Sequence, residues 1–351
     1  MVRTCTQCLM PQSYPGISFD EHGVCNQCRA YKPKELLGEA AFIEKIKSKK
    51  MGSYDCVLGI SGGRDSCYVA YLARKRFKLK PLAVCYDFCF LRDLARQNVR
   101  NVCNRLKIDL IIVKSKNNLE FDLLRHHLMS LAATGTTWGQ CLFCHYGIDA
   151  VLYKVAQERK IPFVLSGVIE HELWNPGGRM KFLFNRLKKL PLPELIRFIC
   201  RQAKAYGQLV GQRREFPLPG NNCFNAYKKQ QMPLEGPESI RVFDYIKWDQ
   251  KIIERTLVDK AGWVRPDSQL SWRYDCILEP LLDYTYKKEF GISTVGLYLS
   301  GLIRSGLVAK KQARIILQES EDEVTLRSKL EYAFDFLEIP ASLRQKFLNA
   351  K

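Results

Sequence analysis

Acidic residues are in short supply. Only 36 Asp and Glu stand against 55 Lys and Arg, a net charge of +19 at neutral pH. Such a surplus gathers anions and favours nucleic acid, phosphorylated substrates or an anionic membrane surface, without choosing among them. Also absent is any apolar run approaching the ~18 residues of a membrane-spanning helix. The opening MVRTCTQC has no basic stretch followed by an apolar segment. These absences argue against a secretory leader and a transmembrane segment, and predict a cytoplasmic protein. In that compartment fourteen cysteines point to thiols and metal ligands more than to disulfides. The Walker signature GxxxxGK[ST] is missing as well, so a phosphate site has to be built another way. What is present is ample apolar material, 46% hydrophobic and 11% aromatic over 351 residues. That composition excludes a disordered chain and suggests a central domain with additions.

Residues Ser61 to Ser66 read SGGRDS, after the apolar run Cys56 to Ile60 and before a helix-like stretch from Cys67 to Arg76. Two glycines at a strand end let backbone approach an anion, and the following helix aims its free N–H groups and positive dipole end at the same place. The hydroxyls of Ser61 and Ser66 add donors. Asp65 is placed to hold Mg²⁺ or to orient the loop, whereas Arg64 reads as merely solvated.

The first thirty residues hold Cys5-x2-Cys8 and Cys25-x2-Cys28, sixteen residues apart. Two such pairs can present four thiolates tetrahedrally to a structural Zn²⁺. Pro11, Pro15, Gly16 and Gly23 between them are turn formers. A ribbon this short has no core of its own, so the metal would supply much of its folding energy.

Four short Val- and Ile-rich runs (57–60, 82–86, 110–113 and 163–166) alternate with helical spacing over 66–76, 91–106, 119–132 and 146–159. That order predicts a doubly wound parallel α/β sheet, with ligands outside the carboxyl ends of its strands. SGGRDS, Asp87 and Gly167 all follow strand ends and are expected to line one crevice. The expected divisions are a four-cysteine, zinc-ribbon-like module over 1–35, a nucleotide-binding domain over 50–170, a basic insertion over 171–248 and a helical region over 249–351. Helix starts are expected near Ser293, Ser320 and Pro340, with Leu299, Leu302, Ile303 and Leu307 as a core stripe. Within the insertion, Arg179 to Arg214 carries ten Lys or Arg against Glu194 alone. This stretch would suit RNA, an anionic membrane, a phosphorylated substrate or simply solvent.

SGGRDS resembles the PP-loop of the ATP pyrophosphatases, which split ATP between its α and β phosphates and transfer AMP. Three blocks together resemble the N-acetyl sugar amidotransferases of that superfamily. They are CTQCLMPQSYPGISFDEHGVCNQC at the start, SGGRDS, and SWRYDC at Ser271 to Cys276 followed by GLYLSGLIRSGLVAKKQA from Gly296 to Ala313. After Gly167 the chain departs from that family's Gly-Glu-Asn pattern. The resemblance implies a HUP-like nucleotide-binding domain using ATP and Mg²⁺, with Ser61, Gly62, Gly63, Asp65, Ser66, Asp87 and Gly167 around the nucleotide. Asp65 and Ser66 would assist catalysis. Its substrate would be a nucleotide-linked amino sugar whose acetamido oxygen is adenylated and replaced by ammonia, in surface polysaccharide (lipopolysaccharide, O-antigen) biosynthesis. The chain has no recognisable glutaminase, so a separate glutaminase subunit is expected to supply the ammonia.

Cys141-x2-Cys144 beside His145, with the distant Cys276, opens an alternative. In PP-loop enzymes that thiolate tRNA, a similar arrangement holds an iron–sulfur cluster, so a [4Fe-4S] cluster, a second zinc or plain buried thiols all fit these residues. Cys223 rivals Cys276 as third ligand. A non-catalytic zinc-ribbon nucleic-acid binder is the third reading. Cys56, Cys67, Cys85, Cys89 and Cys103 read as core. His126 and His127 read as surface or core, and His171 and Glu172 as an acid or base near the crevice or as loop polarity.

Overall fold

The structure is a computed structural model, and it describes residues 3–49, 52–114, 121–122, 124–125, 142–169, 192–193, 196, 200, 236–267 and 272–349. Among them five strands form one sheet: β1 (Cys56–Gly59), β2 (Pro81–Asp87), β3 (Asp109–Lys114), β4 (Phe163–Ser166) and β5 (Glu238–Arg241). Their order is β3-β2-β1-β4-β5 and every pairing is parallel. This is the doubly wound sheet that the alternating pattern predicts. β1, β2 and β4 are buried along nearly their whole length, as continuous apolar runs in a sheet covered on both faces must be.

The helices are α1 (Asn26–Ala30), α2 (Gly38–Lys47), α3 (Arg64–Tyr71), α4 (Asp93–Leu106), α5 (Leu142–Glu158) and α6 (Gln250–Thr256), then α7 (Glu279–Phe290), α8 (Thr294–Arg304), α9 (Lys310–Ser320), α10 (Glu323–Phe336) and α11 (Ala341–Asn349). α3 packs against α4, and α5 packs on β1, β2 and β4; the right-handed rule for parallel crossovers assigns the first two to one face of the sheet and α5 to the other. The strand order reverses between β1 and β4, which opens the crevice where such sheets bind ligands. No described helix is long and apolar enough to cross a membrane.

Four expectations need correction. Residues 238–241, placed by sequence within the basic insertion, form β5 and complete the sheet. Only Ile240 of Glu-Ser-Ile-Arg is buried, so this edge strand carries no apolar run to betray it. Ser320 ends a helix instead of starting one, and the next begins at Glu323. Leu299 and Leu302 are core, but Leu307 lies beyond the end of α8 and is 37% exposed. Cys56, Cys67, Cys85 and Cys103 are buried as expected, whereas Cys89 is half-buried in a loop with φ of 54°. The segment Arg179 to Arg214, apart from isolated positions, lies outside the described residues, as do His126, His127, His171 and Glu172.

The amino-terminal module folds as two short antiparallel pairings, Thr4 with Pro11 and Phe19 with Cys25. It docks on α7, α8 and α9. Tyr14 meets Phe290 edge-on at 5.5 Å, Ser13 Oγ donates to the Phe290 carbonyl at 2.6 Å, and Lys310 Nζ donates to the carbonyls of Cys5 and Thr6 at 2.8 and 2.7 Å. With Leu282, Tyr286, Ile292 and Leu297 the module shares a small core of its own.

Candidate nucleotide site and cysteine centre

Between β1 and α3 the backbone turns sharply at Gly62, whose φ is +82°. A Cβ there would lie 2.1 Å from the Ala95 carbonyl oxygen, so conformation and space both demand glycine. The Gly62 carbonyl accepts from Trp263 Nε1 at 3.0 Å and from the Tyr274 hydroxyl. Asn98 Nδ2 donates in turn to that hydroxyl oxygen at 2.8 Å. Inside the loop Ser61 N donates to Ser66 Oγ at 3.2 Å, Ser66 Oγ to the Gly63 carbonyl at 3.1 Å, and Gly63 N to Ser61 Oγ at 3.3 Å. The two hydroxyls lie 3.3 Å apart. Gly167 follows β4, and a Cβ on it would sit 3.0 Å from the Asp65 carbonyl. Its bareness lets β4 and the start of α3 close up at the reversal point.

Arg64 is not solvated. It is 2% exposed, and its guanidinium donates to both oxygens of Asp65, at 3.1 and 2.9 Å, and to the Tyr298 hydroxyl at 3.2 Å. It also lies 3.7 Å from Glu254 and 5.0 Å above the Trp248 ring. Burial alone would lower its pKa, but Asp65 and Tyr298 outweigh that and hold it charged. Trp248 Nε1 adds a third donor to Asp65, at 2.8 Å. Asp65 is therefore held as a brace of the loop, with three of about four lone-pair positions taken. Asp87, at the end of β2, is likewise engaged by Arg96, whose Nη2 lies 3.0 Å from Oδ1.

Sequence reasoning missed a carboxylate that faces the loop from a distant part of the chain. Asp275, within SWRYDC, hydrogen-bonds to Ser61, and its Oδ2 lies 3.3 Å from where a Cβ on Gly63 would be. Burial raises its pKa, opposed by the bond to Ser61 and the charges of Arg273 and Arg92. Its segment is fixed to the chain beyond β2: Arg92 N donates to the Asp275 carbonyl at 2.9 Å, Ile277 N to that of Phe90 at 2.9 Å, and Leu91 bridges Cys276. SWRYDC stood out only as a block of resemblance, and nothing local in it announces contact with residues two hundred positions earlier.

Cys276 is half-buried in that same segment, and Cys144 is half-buried near the start of α5. Both carriers meet the carboxyl end of β2. A Cβ on Gly147 would lie 2.5 Å from the Tyr86 ring, while Cys276 pairs with Leu91. His145 reaches solvent on one side, but the protein around it, together with the charge of Arg273, lowers its pKa to about 4. Asp149, one turn along and also open to solvent on one side, is pushed up to about 6 by the surrounding protein. Cys141 and Cys223 lie outside the described residues.

The four amino-terminal cysteines do converge: the Sγ atoms of Cys5, Cys8, Cys25 and Cys28 all lie within 4.8 Å of one another. Cys5 and Cys28 are 3.9 Å apart, and Cys8 and Cys25 are 3.7 Å apart. A tetrahedron with Zn–S bonds of about 2.3 Å has edges of about 3.8 Å. This set therefore fits one tetrahedral ion better than a cluster, whose thiolates sit on separate irons. Backbone N–H groups of Gln7, Cys8, Met10, Cys25 and Cys28 point at these sulfurs. So many sulfurs cannot all ionise alone. The contact with Cys28, then that with Cys8, lowers Cys25 to about 2, while the contact with Cys25 raises Cys8 to about 11 and raises Cys28 as well. A divalent cation removes that conflict. Arg304, 3.9 Å from the Cys8 sulfur, and Lys310 would offset the remaining negative charge.

Residues 39–124 match the NAD synthase family model. The matched stretch contains the Ser61–Ser66 loop. Over 102 residues, 28% of its length, the chain is 31% identical to the uncharacterised protein MJ1599 of Methanocaldococcus jannaschii, and the match spans 37% of that protein. The U34-tRNA thiolase NcsA of Methanococcus maripaludis, solved with its [4Fe-4S] cluster, aligns over 90% of this chain and 89% of its own, at 16% identity and a TM-score of 0.35. That likeness is too loose to transfer any residue's role.

Proposed function

We propose that the protein adenylates the carbonyl oxygen of an amide-like acceptor, releasing pyrophosphate, and that an incoming nucleophile then displaces AMP. The observation that carries this reading is the Ser61–Ser66 loop. Two hydroxyls, two glycines and the start of α3 meet at the sheet's reversal point, held from behind by Arg64, Trp248, Trp263 and Tyr274. An amide oxygen is a poor leaving group until phosphorylated, and lining it up with the α-phosphate is the work such a loop performs.

For the acceptor, we read the acetamido group of a nucleotide-linked sugar, with ammonia from a partner glutaminase as nucleophile. The three blocks of sequence likeness, far apart in the chain, form one assembly. Tyr274 and Asp275 of SWRYDC lie on the SGGRDS loop, and the four-cysteine module lies on the helices of the GLYLSGLIRSGLVAKKQA block. Zn²⁺ in that module would be structural. The test is incubation with ATP, Mg²⁺, ammonium and a UDP-diacetamido sugar. AMP, pyrophosphate and an amidine are the expected products, and ADP formation overturns the reading.

Sulfur transfer to a tRNA base or small heterocycle is the second reading, with at least equal support from the placement of cysteines. Cys144 and Cys276 ride on elements that converge beyond β2, next to the nucleotide loop. Anaerobic purification and reconstitution with iron and sulfide decides it. About four irons per chain with thiolated product support sulfur, and a colourless protein of full activity refutes the cluster.

A further inference from the structure

We infer that Asp275, and not the Asp65 of the loop motif, is the carboxylate that holds the divalent cation of bound ATP. The inference rests on the adenylating function proposed above and concerns which residue of this chain receives the metal. A triphosphate entering the loop brings several negative charges against whatever faces Ser61 and Gly63, and what faces them is a carboxylate. Asp275 bonds to Ser61, and its Oδ2 lies 3.3 Å from the Cβ position of Gly63. Two anions at such range repel strongly in a recess partly closed to water, unless a cation bridges them. Mg²⁺ does this readily, because it takes one or two carboxylates plus phosphate oxygens and keeps the rest of its shell as water.

The other carboxylates at the strand ends are committed. Asp65 accepts from Arg64 twice and from Trp248. Asp87 accepts from Arg96 through two nitrogens. Moving either to a metal would cost a buried or half-buried arginine its shortest carboxylate contact or an equal of it. Asp275 takes a hydroxyl hydrogen bond from Ser61 and one from its own backbone N–H, with Arg273 and Arg92 acting on it through their charge, and Ser61 Oγ can turn its proton to a phosphate oxygen. Its backbone is already fixed: Arg92 N holds its carbonyl, and Tyr274 next to it grips Gly62. The carboxylate is thus positioned by the same segment that shapes the loop, so that metal and phosphates meet in one register.

The test uses the full chain, α,β-methylene ATP and Mn²⁺, with bound Mn²⁺ read by electron paramagnetic resonance and nucleotide affinity by calorimetry with and without Mg²⁺. In the wild type the divalent ion should tighten nucleotide binding. In Asp275→Asn that enhancement should vanish and Mn²⁺ affinity in the ternary complex should fall about tenfold or more, a scale on which even outer-shell losses act. Metal-free nucleotide should bind this variant at least as well as the wild type, since a repelling charge is gone. Asp275→Ser, which keeps a hydroxyl near Ser61, should behave alike and serves if the Asn variant does not fold. Retained metal enhancement in a folded variant overturns the inference, as does wild-type binding indifferent to divalent ions. Failure of the wild type to bind nucleotide under any condition instead refutes the proposed function from which the inference starts.

Discussion

Gly62 and Gly63 stand side by side yet answer to different constraints, and substitution separates them. Alanine at Gly62 would need φ near +82° and a Cβ 2.1 Å from a backbone carbonyl oxygen of α4, so the loop must move and release Trp263 and Tyr274. We expect Gly62→Ala to lower Tm by several degrees and to abolish nucleotide binding. Gly63 has φ of −63°, open to any residue, and the nearest atoms to its added Cβ are side-chain ones, Ser61 Oγ at 3.1 Å and Asp275 Oδ2 at 3.3 Å. Gly63→Ala should keep Tm near the wild type while weakening nucleotide binding, because the methyl group fills the space beside Ser61 that the proposed function assigns to phosphate. Equal loss of Tm in both variants, measured by thermal unfolding, would refute this division. The loop was legible in sequence because its signal is local: strand, glycines, hydroxyls, helix. Arg64 was not, since its partners Trp248, Glu254 and Tyr298 approach it only after folding. Asp275 escaped for the same reason.

At the level of elements, legibility follows burial. β1, β2 and β4 advertise themselves by uninterrupted apolar runs, whereas β5 is a polar edge strand known only by its pairing with β4. The four-cysteine ribbon was readable from spacing alone, but its docking on α7 to α9 was not, because Ser13, Tyr14 and Lys310 are ordinary residues until placed. The ribbon's small size and crowded sulfurs give a direct prediction. The purified chain should carry about one zinc. Chelation should lower Tm and expose Tyr14, Tyr286 and Phe290, seen as a change in near-ultraviolet circular dichroism, and added zinc should restore both. A stripped protein with unchanged Tm and spectrum would mean that the sulfurs hold nothing of structural weight.

In the whole molecule, the two ends of the chain are joined to its centre by one continuous set of contacts. The ribbon rests on α8 and α9 through Arg304 and Lys310. Tyr298 of α8 accepts from Arg64, which braces Asp65 behind the nucleotide loop, and Trp272 stacks on the Tyr298 ring at 4.6 Å. Trp272 begins the described part of the segment that carries Tyr274 and Asp275 to the loop. Loosening α8 therefore withdraws support from Arg64 and from Asp275 together, although no cysteine of the ribbon has been placed at the nucleotide loop. Removing zinc should accordingly weaken binding of α,β-methylene ATP, and zinc should restore it without any change in chemistry at the loop. Linkage makes the effect reciprocal: if zinc tightens nucleotide binding by some factor, nucleotide tightens zinc binding by the same factor. Saturating nucleotide should then reduce zinc loss to a competing chelator, which a colorimetric zinc indicator can follow. Equal nucleotide affinity with and without zinc would mean that the path through Tyr298 carries no energy, and that ribbon and loop merely share a scaffold.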